Sequence, residues 1–323
     1  MTSEEKVKEE GRQRIRPNGK RYFSARTIVY PLVFLTMHFL TQVLATVLAS
    51  ILILNSYKAG DSLFSYKPGD LLSFLAESDI TLEMVQHFIR EVGIKALLYS
   101  APLQIIICVI FLWYQKRKNR QYLLLRPNHA AAFPLGIAAA FGSLGIATLL
   151  LQLFNMLAEK ILFLENIMIN YQQSMAALQG VDLLLTTLGV VILGPIAEEL
   201  LFRGIITEEI RQVAPDWLAI LLGGVIFAQA HGNPVQVLYV LPLGLLLGAS
   251  YIWSNSIWVP ILIHIVFNFF GSIFDMQIGE NETVRTIYII FLFVMIPVGA
   301  LSVLVMNRMF RKNKKAATEK ASG

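Results

Sequence analysis

Six polar side chains lie within apolar stretches of the sequence, where ionisable groups are costly and indicate a functional site. They are Glu198 and Glu199, Arg203, His231, His264 and Asn268. A carboxylate can act as a general base on water, and a histidine can help to orient that water. An imidazole and a carboxamide on one helix face can donate hydrogen bonds to a developing oxyanion. The set therefore indicates peptide hydrolysis.

Helix geometry suggests how the glutamate pair is arranged. Residues four apart share a helix face, so Arg203 is predicted to pair with Glu199. Glu198 lies about 100° round the helix and is predicted to face the interior of the bundle. Pro195 cannot donate a helix hydrogen bond, which predicts a kink just before the pair. The alternative is a cytoplasmic helix end with ordinary solvated charges.

Spacing from the turns predicts that these groups meet. Glu198 lies 16 residues before Ala214, the centre of a predicted hairpin, and His231 lies 17 residues after it. Equal distances from the turn of an antiparallel pair imply equal depth. His264 lies nine residues beyond the turn at Asn255, or roughly 13 Å at helical rise, and Asn268 follows one turn later. We expect all four groups at one buried level that opens towards the cytoplasm.

The elements that must position these residues are membrane helices. The chain is 55% hydrophobic and 15% charged, whereas a soluble domain carries roughly a quarter charged residues. Several charge-free stretches approach or exceed the roughly 20 apolar residues that cross a bilayer. The predicted fold is all-α, a polytopic bundle of about eight transmembrane helices. Their predicted positions are 28–54, 94–115, 129–156, 182–203, 216–232, 235–253, 257–274 and 286–306. Close helix contacts are expected at Gly244 and Gly248, a G-x-x-x-G pattern.

The distribution of charge predicts the topology. Eight Lys or Arg residues lie in 1–26, five in 116–126 and six from Arg308 onward. Each cluster flanks an apolar span, which is typical of cytoplasmic flanks, so the net charge of +5 indicates contact with lipid and no nucleic-acid partner. Segments 56–92 and 156–182 carry more acidic than basic residues and are predicted to lie outside. Both termini are expected in the cytoplasm, with the chain in a bacterial plasma membrane.

Two smaller expectations concern segments outside the apolar spans. Leu82, Val85, Phe88 and Ile89 recur at helical spacing in the 56–92 segment, which predicts an interfacial helix. The tip of the hairpin at Ala214 is expected to project into the cytoplasm. Its charged residues are Glu208, Glu209 and Arg211.

Known hydrolase signatures narrow the chemistry. The sequence has no H-E-x-x-H, no G-x-S-x-G and no pair of intramembrane aspartates, so zincin, serine-hydrolase and aspartyl mechanisms lack their motifs. A metal site formed by Glu198, His231 and His264 stays open as an alternative, because carboxylate and imidazole are normal Zn²⁺ ligands. The cofactor is accordingly either absent or a divalent metal such as zinc.

The order of the motifs resembles a known family. Glu-Glu-x-x-x-Arg, Phe-x-x-x-His and His-x-x-x-Asn on successive helices, within about residues 125–275, are similar to the CPBP family. That family groups type II CAAX prenyl proteases with bacterial proteins linked to bacteriocin processing or self-immunity. The resemblance implies that Glu198 is the catalytic base assisted by His231, with His264 and Asn268 as the oxyanion hole. Glu199 and Arg203 would support the site.

The resemblance also completes the predicted domain organisation. A CPBP-like catalytic core is expected between two N-terminal spans and one C-terminal span, with a basic tail at each end. The boundaries are 1–27 for the first tail, 28–124 for the two spans with their outer segment 56–92, 125–275 for the core, 276–307 for the last span and 308–323 for the second tail. The expected partners are the lipid bilayer and a peptide or membrane-protein substrate, prenylated or not.

Two other classes of function are compatible with a polar cluster in a membrane. A non-catalytic immunity or adaptor protein could use the same residues as buried polar contacts that hold the bundle together. A transporter would need polar groups along a path between the two faces, whereas these groups cluster at one level. The sequence favours the endopeptidase.

Overall fold

The chain is a bundle of long helices. A computed structural model describes residues 25–60, 82–119, 122–127, 129–176, 182–278 and 281–322. The helices are α1 (Arg26–Gly60), α2 (Leu82–Lys118), α3 (Ala132–Ala158), α4 (Leu162–Ala176), α5 (Leu183–Val213), α6 (Asp216–Gln229), α7 (Pro234–Ser254), α8 (Trp258–Phe274) and α9 (Glu282–Ser322). Within these ranges no β-strand forms, and extended pairing is limited to one antiparallel bridge between Leu125 and Ser256.

The predicted polytopic helical bundle is confirmed. Six helices, α1, α2, α3, α5, α7 and α9, are long and apolar enough to cross a membrane. The helices α6 and α8, which were predicted as two further spans, are apolar but shorter than a full membrane crossing. The outer surfaces of the helices in the bundle expose many large apolar side chains, which a membrane helix presents to lipid.

The structure differs from the sequence prediction between the first and third spans. Residues 82–92 belong to α2 as one continuous helix that runs to Lys118, so they do not form a separate interfacial helix. The predicted outer segment 56–92 also overlaps the end of α1, and its residues 61–81 lie outside the described part of the chain. A helix that was not predicted, α4, follows α3.

Glycines set the closest helix contacts. At Gly244 an added Cβ would lie 2.9 Å from the carbonyl oxygen of Gly224, so α6 and α7 approach backbone to backbone, as the G-x-x-x-G pattern predicted. The helices α3 and α9 meet in the same way, since a Cβ on Gly142 would lie 2.8 Å from the Cα of Gly299. Small residues allow such contacts, in which van der Waals packing stabilises membrane helices.

One end of the bundle carries the basic segments, and we call it the basic end. The Lys116 ammonium donates to the carbonyl of Leu123, and the amide of Ile257 donates to the carbonyl of Leu124. These contacts bring residues 116–126 to the turn between α7 and α8. Because α9 packs antiparallel to α3, Arg308 lies at the same end as Ala132.

The charged tip of the α5–α6 hairpin is buried at the basic end, so the prediction that it projects into the cytoplasm is wrong. Glu208 and Glu209 are almost fully buried. The Tyr122 hydroxyl donates to Glu209 at 3.0 Å, the Tyr251 hydroxyl donates to Glu208 at 2.9 Å, and Arg211 pairs with Glu208 at 2.9 Å. Burial, reinforced by the neighbouring Glu209, raises the pKa of Tyr122, so its hydroxyl stays protonated and keeps donating. Tyrosine hydroxyls and an arginine thus replace the water that the prediction assumed.

Candidate active site

The two glutamates lie on a short α-helical turn inside α5. This turn, Gly194–Glu199, is flanked by π-helical segments at Thr187–Leu193 and Leu200–Thr207. Single π-helical turns are rare and frequently occur at functional sites, because they rotate the side chains that follow. Pro195, which predicted a kink, is the second residue after the first π-helical segment. Its missing N–H is accommodated where the hydrogen-bond register of the helix changes.

Glu199 is the buried centre of a polar network. Its side chain is 0% exposed, and its Oε1 accepts from an Arg203 guanidinium nitrogen at 2.9 Å. The same oxygen accepts from Nδ1 of His264 at 2.8 Å. The sequence predicted the contact with Arg203 from helix spacing, and the structure confirms that contact. The bond to His264 was not predicted, because it depends on how α5 and α8 are rotated relative to each other.

Arg203 has three buried partners. Besides Glu199, it donates to the carbonyl oxygen of Gly244 at 3.1 Å. Its guanidinium carbon lies 4.2 Å from the ring centroid of Phe227, a distance at which a cation is attracted to the aromatic face. Arg203 thereby links α5 to both α6 and α7. A buried charge needs this degree of pairing, since an unpaired one is strongly destabilising.

Glu198 has a different environment from its neighbour. Its side chain is 26% exposed, and its Oε2 lies 3.7 Å from Nε2 of His264. The carboxylate faces a cavity of about 510 Å³, which His231, His264 and Asn268 also line. The predicted convergence of these four residues is therefore present. The adjacent glutamates thus differ in packing. Glu199 is enclosed by Arg203 and His264, whereas Glu198 is open to the cavity.

The hydrogen bonds of the two histidines define which ring nitrogen carries a proton. Nδ1 of His231 lies 3.0 Å from the carbonyl oxygen of Phe227, and a carbonyl oxygen only accepts. Nδ1 of His264 meets the carboxylate of Glu199, which also accepts when ionised. Both Nδ1 atoms must therefore donate. The Nε2 atom of each ring is left for contacts with other groups.

Asn268 is positioned by the first π-helical segment of α5. Its side-chain amide donates to the carbonyl oxygen of Val190 at 2.9 Å. A π-helical segment breaks the regular i→i−4 ladder, so one of its carbonyls can accept from a neighbouring helix. The carboxamide retains a second N–H and its oxygen for contacts within the cavity.

Several residues that line the cavity were not predicted. Tyr171 and Met175 come from α4, and Arg285 and Tyr288 come from the first turns of α9. The ring centroids of Tyr171 and Tyr239 lie 6.2 Å apart, which ties α4 to α7 beside the cavity. The sequence shows Tyr171 only as an aromatic residue outside the motifs, which does not indicate that it packs against Tyr239 beside the cavity.

The cavity opens at the end of the bundle opposite the basic end, contrary to the predicted opening on the same side as the basic segments. Its lining comes from the second half of α3, from α4, and from the first turns of α7 and α9. The distance of Glu198 from the turn at Ala214 explains why the cavity opens at this end. Glu198 lies 16 residues from Ala214, which at helical rise is roughly 24 Å from the turn at the basic end. Equal depth was predicted correctly, but Glu198 lies at the midpoint of α5, and the cavity lining extends from there towards the end opposite the basic end.

The candidate residues do not form a metal site. Among the described residues no group of three His, Cys, Asp or Glu side chains converges as metal ligands do. The set Glu198, His231 and His264, considered from the sequence, therefore does not fit a three-ligand centre.

Comparison with known proteins agrees with this geometry. Residues 180–270 match the family described as type II CAAX prenyl endopeptidase Rce1-like. This segment contains all six polar residues of the site. The resemblance drawn from the three motifs is thereby confirmed for this part of the chain.

Curated relatives match over a similar length. YdiL of Bacillus subtilis (strain 168), a candidate membrane peptidase, is 31% identical over 112 residues, which are 35% of this chain and 45% of the relative. The membrane-embedded CAAX protease MroQ of Staphylococcus aureus (strain USA300) is 30% identical over 112 residues, or 31% of this chain and 45% of the relative. The chain spans about half the length of the curated relatives it matches. No solved structure matches the chain significantly.

Proposed function

We propose that this membrane protein is an intramembrane endopeptidase with Glu198 as its general base. The observation that carries the proposal is the contrast between the two adjacent glutamates. Glu199 is fully enclosed by Arg203 and His264, whereas Glu198 is partly exposed in a cavity that three other polar candidates line. Residues that served only to hold helices together would all be enclosed. An open carboxylate at membrane depth is expensive and is consistent with a group that must reach water and substrate.

The reaction follows from the proton positions. A water molecule in the cavity donates one proton to Glu198 while its oxygen attacks the carbonyl carbon of the scissile peptide bond. Because Nδ1 of His231 donates to Phe227, its Nε2 can accept the second hydrogen of the same water and orient it. The proton held by Glu198 then passes to the amide nitrogen. The C–N bond breaks, and a carboxylic acid and an amine leave.

The negative charge that develops on the carbonyl oxygen needs donors. The free N–H of Asn268 is one. His264 is the other when both of its ring nitrogens carry a proton, so that Nε2 donates while Nδ1 stays bonded to Glu199. Donors held in place before the reaction stabilise an oxyanion without reorganising. Arg203 acts indirectly, as a positioning residue for Glu199.

Topology is part of this proposal. The basic clusters favour cytoplasmic termini in a cell membrane crossed several times by the chain. The competing function is that of a non-catalytic immunity or adaptor protein, which would keep the fold but would not need an ionisable group at position 198.

A glutamine substitution separates the two functions. Glu198→Gln preserves size and hydrogen bonding but removes the base, so we expect loss of complementation in a deletion strain of the native host with normal expression and thermal stability. Glu159→Gln is the matched control, because Glu159 is exposed just after the end of α3, outside the cavity, and its carboxylate accepts from nearby Asn155. Full complementation by stably expressed Glu198→Gln would contradict a catalytic role and favour the adaptor.

A further inference from the structure

The position of the cavity within the bundle determines from which side a substrate must enter. The lining residues nearest the mouth are Met175 in α4, Gln236 in α7 and the exposed Arg285 in α9. All three lie close to chain segments that connect helices at the end opposite the basic end. No lining residue of this cavity comes from the basic end.

The two ends of the bundle differ in charge. Residues 116–126 carry five basic side chains, and six more follow from Arg308 onward. At the cavity end, segment 156–182 has one basic and three acidic residues, and segment 275–286 also has one basic and three acidic. Lys and Arg in short flanking segments set the orientation of a membrane protein, with the basic flanks in the cytoplasm. The cavity end is therefore assigned to the non-cytoplasmic face.

The helix α4 has the character of an element that lies in the membrane interface at this face. Its Leu162 and Phe163 are 73% and 71% exposed. Its Met168 is buried, and Tyr171 contacts Tyr239 beside the cavity. A helix with apolar side chains towards lipid and its other face on the protein is stable at the boundary between headgroups and acyl chains. It would cover one side of the cavity mouth from outside.

We propose that the cavity is entered from the non-cytoplasmic side and that its substrates are peptide segments of exported or membrane-inserted proteins. This inference rests on the proposed endopeptidase function for the substrate class, and on geometry and charge alone for the side of entry. A substrate confined to the cytoplasmic face would approach the bundle at the end that contributes no described lining residue of the cavity.

Cysteine labelling tests the side of entry without requiring activity. Thr148→Cys places a thiol in the cavity wall, Gln173→Cys places one on exposed α4, and Lys118→Cys places one at the basic end. The unmodified chain is the blank, because its single cysteine, Cys108, is buried. The probe is a membrane-impermeant maleimide, applied first to intact cells and then after permeabilisation.

We expect Thr148→Cys and Gln173→Cys to be labelled in intact cells, and Lys118→Cys to be labelled only after permeabilisation. The reverse pattern would place the mouth in the cytoplasm and overturn the proposal. Labelling of Gln173→Cys without Thr148→Cys would also overturn it, because the cavity would then be closed to the outer face.

Peptide analysis tests the substrate class. Peptides from culture medium and from cells would be compared between wild type, Glu198→Gln and the control Glu159→Gln. We expect the Glu198 variant alone to lose peptides that derive from exported or outer-face segments. Loss confined to peptides of cytoplasmic proteins would overturn the substrate class. If no peptide changes, the proposed function fails and the substrate class with it, whereas the side of entry still stands on the labelling.

Discussion

Replacing Arg203 with alanine leaves a buried carboxylate without its cation. The Glu199 side chain is 0% exposed and that of Arg203 is 1% exposed, so solvent cannot compensate for the loss. Removing one member of a buried ion pair typically destabilises a protein by about 3–5 kcal/mol. The lost bond to the Gly244 carbonyl and the lost contact with Phe227 act in the same direction. We therefore expect Arg203→Ala to lie at the upper end of that range.

Removing both charges should restore most of the stability. In the double variant Glu199→Gln with Arg203→Met, the glutamine oxygen can still accept from Nδ1 of His264, and methionine fills much of the arginine's volume. Buried ion pairs replaced by apolar groups of similar size are often neutral or better. The bond to Gly244 is still lost, at a cost of about 1–3 kcal/mol. The double variant should thus be more stable than Arg203→Ala, with a coupling energy of at least about 2 kcal/mol.

The chain offers a matched control for burial. Glu91 and Lys95 form an ion pair at 3.0 Å with the same i,i+4 spacing, but both side chains are 34% exposed. Such pairs contribute about 0–1 kcal/mol, so Lys95→Ala should change the stability little. The contrast between Lys95→Ala and Arg203→Ala isolates the effect of burial.

The measurement is a titration with sodium dodecyl sulfate in dodecyl maltoside micelles, followed by the fluorescence of the four tryptophans. It covers wild type, Arg203→Met, Glu199→Gln and the double variant, which close one cycle, together with Arg203→Ala and Lys95→Ala. Single-variant effects that add to within about 0.5 kcal/mol in the double variant would refute the coupling. The Glu199–Arg203 pair would then not be what positions His264 and leaves Glu198 open.

Three further outcomes follow from the structure. Gly244→Ala should destabilise the bundle by about 1–3 kcal/mol through overpacking, because its Cβ would lie 2.9 Å from a carbonyl oxygen. Gly248→Ala in the same helix is the control, since the nearest atom to its Cβ would be 3.5 Å away. Equal unfolding midpoints of the two variants in the same detergent titration would contradict this. Asn268→Ala should lower kcat by about 10²–10³ with little change in KM if it removes an oxyanion donor, and a change confined to KM would assign it to binding. Dialysis against 1,10-phenanthroline should leave peptide cleavage intact, because the described site lacks a three-ligand group. If cleavage is lost and added zinc restores it, the metal ligands must converge in a conformation that differs from this one.

The parts of the site that depend on local spacing could be predicted from the sequence. The pairing of Glu199 with Arg203 follows from residues four apart on one helix, and the equal depth of Glu198 and His231 follows from distances to one turn. The bond between His264 and Glu199 could not be predicted, because the rotation of α8 against α5 is set by packing along both helices.

Two predictions failed for a common reason: apolar and charged patterns do not specify what covers a polar group. Glu208 and Glu209 have the sequence pattern of a solvated helix end, yet hydroxyl groups of Tyr122 and Tyr251 enclose them at the basic end. The side of the cavity opening was likewise not given by equal depth. It required knowing that α4 and the start of α9 stand beside the cavity, and neither carries one of the motifs.

The contrast between Glu198 and Glu199 follows from helix geometry together with one cation. Identical side chains one residue apart point about 100° away from each other, so Glu199 contacts α8 while Glu198 faces the cavity. Arg203 lies one turn later on the inner face, and its charge makes full burial of Glu199 tolerable. Glu199 in turn holds Nδ1 of His264, which directs Nε2 of that ring towards Glu198. The Glu-Glu-x-x-x-Arg spacing therefore provides both an enclosed counter-ion and an open base. Moving Arg203 out of the i+4 position, or removing its charge, should therefore disrupt both the enclosed Glu199 and the open Glu198.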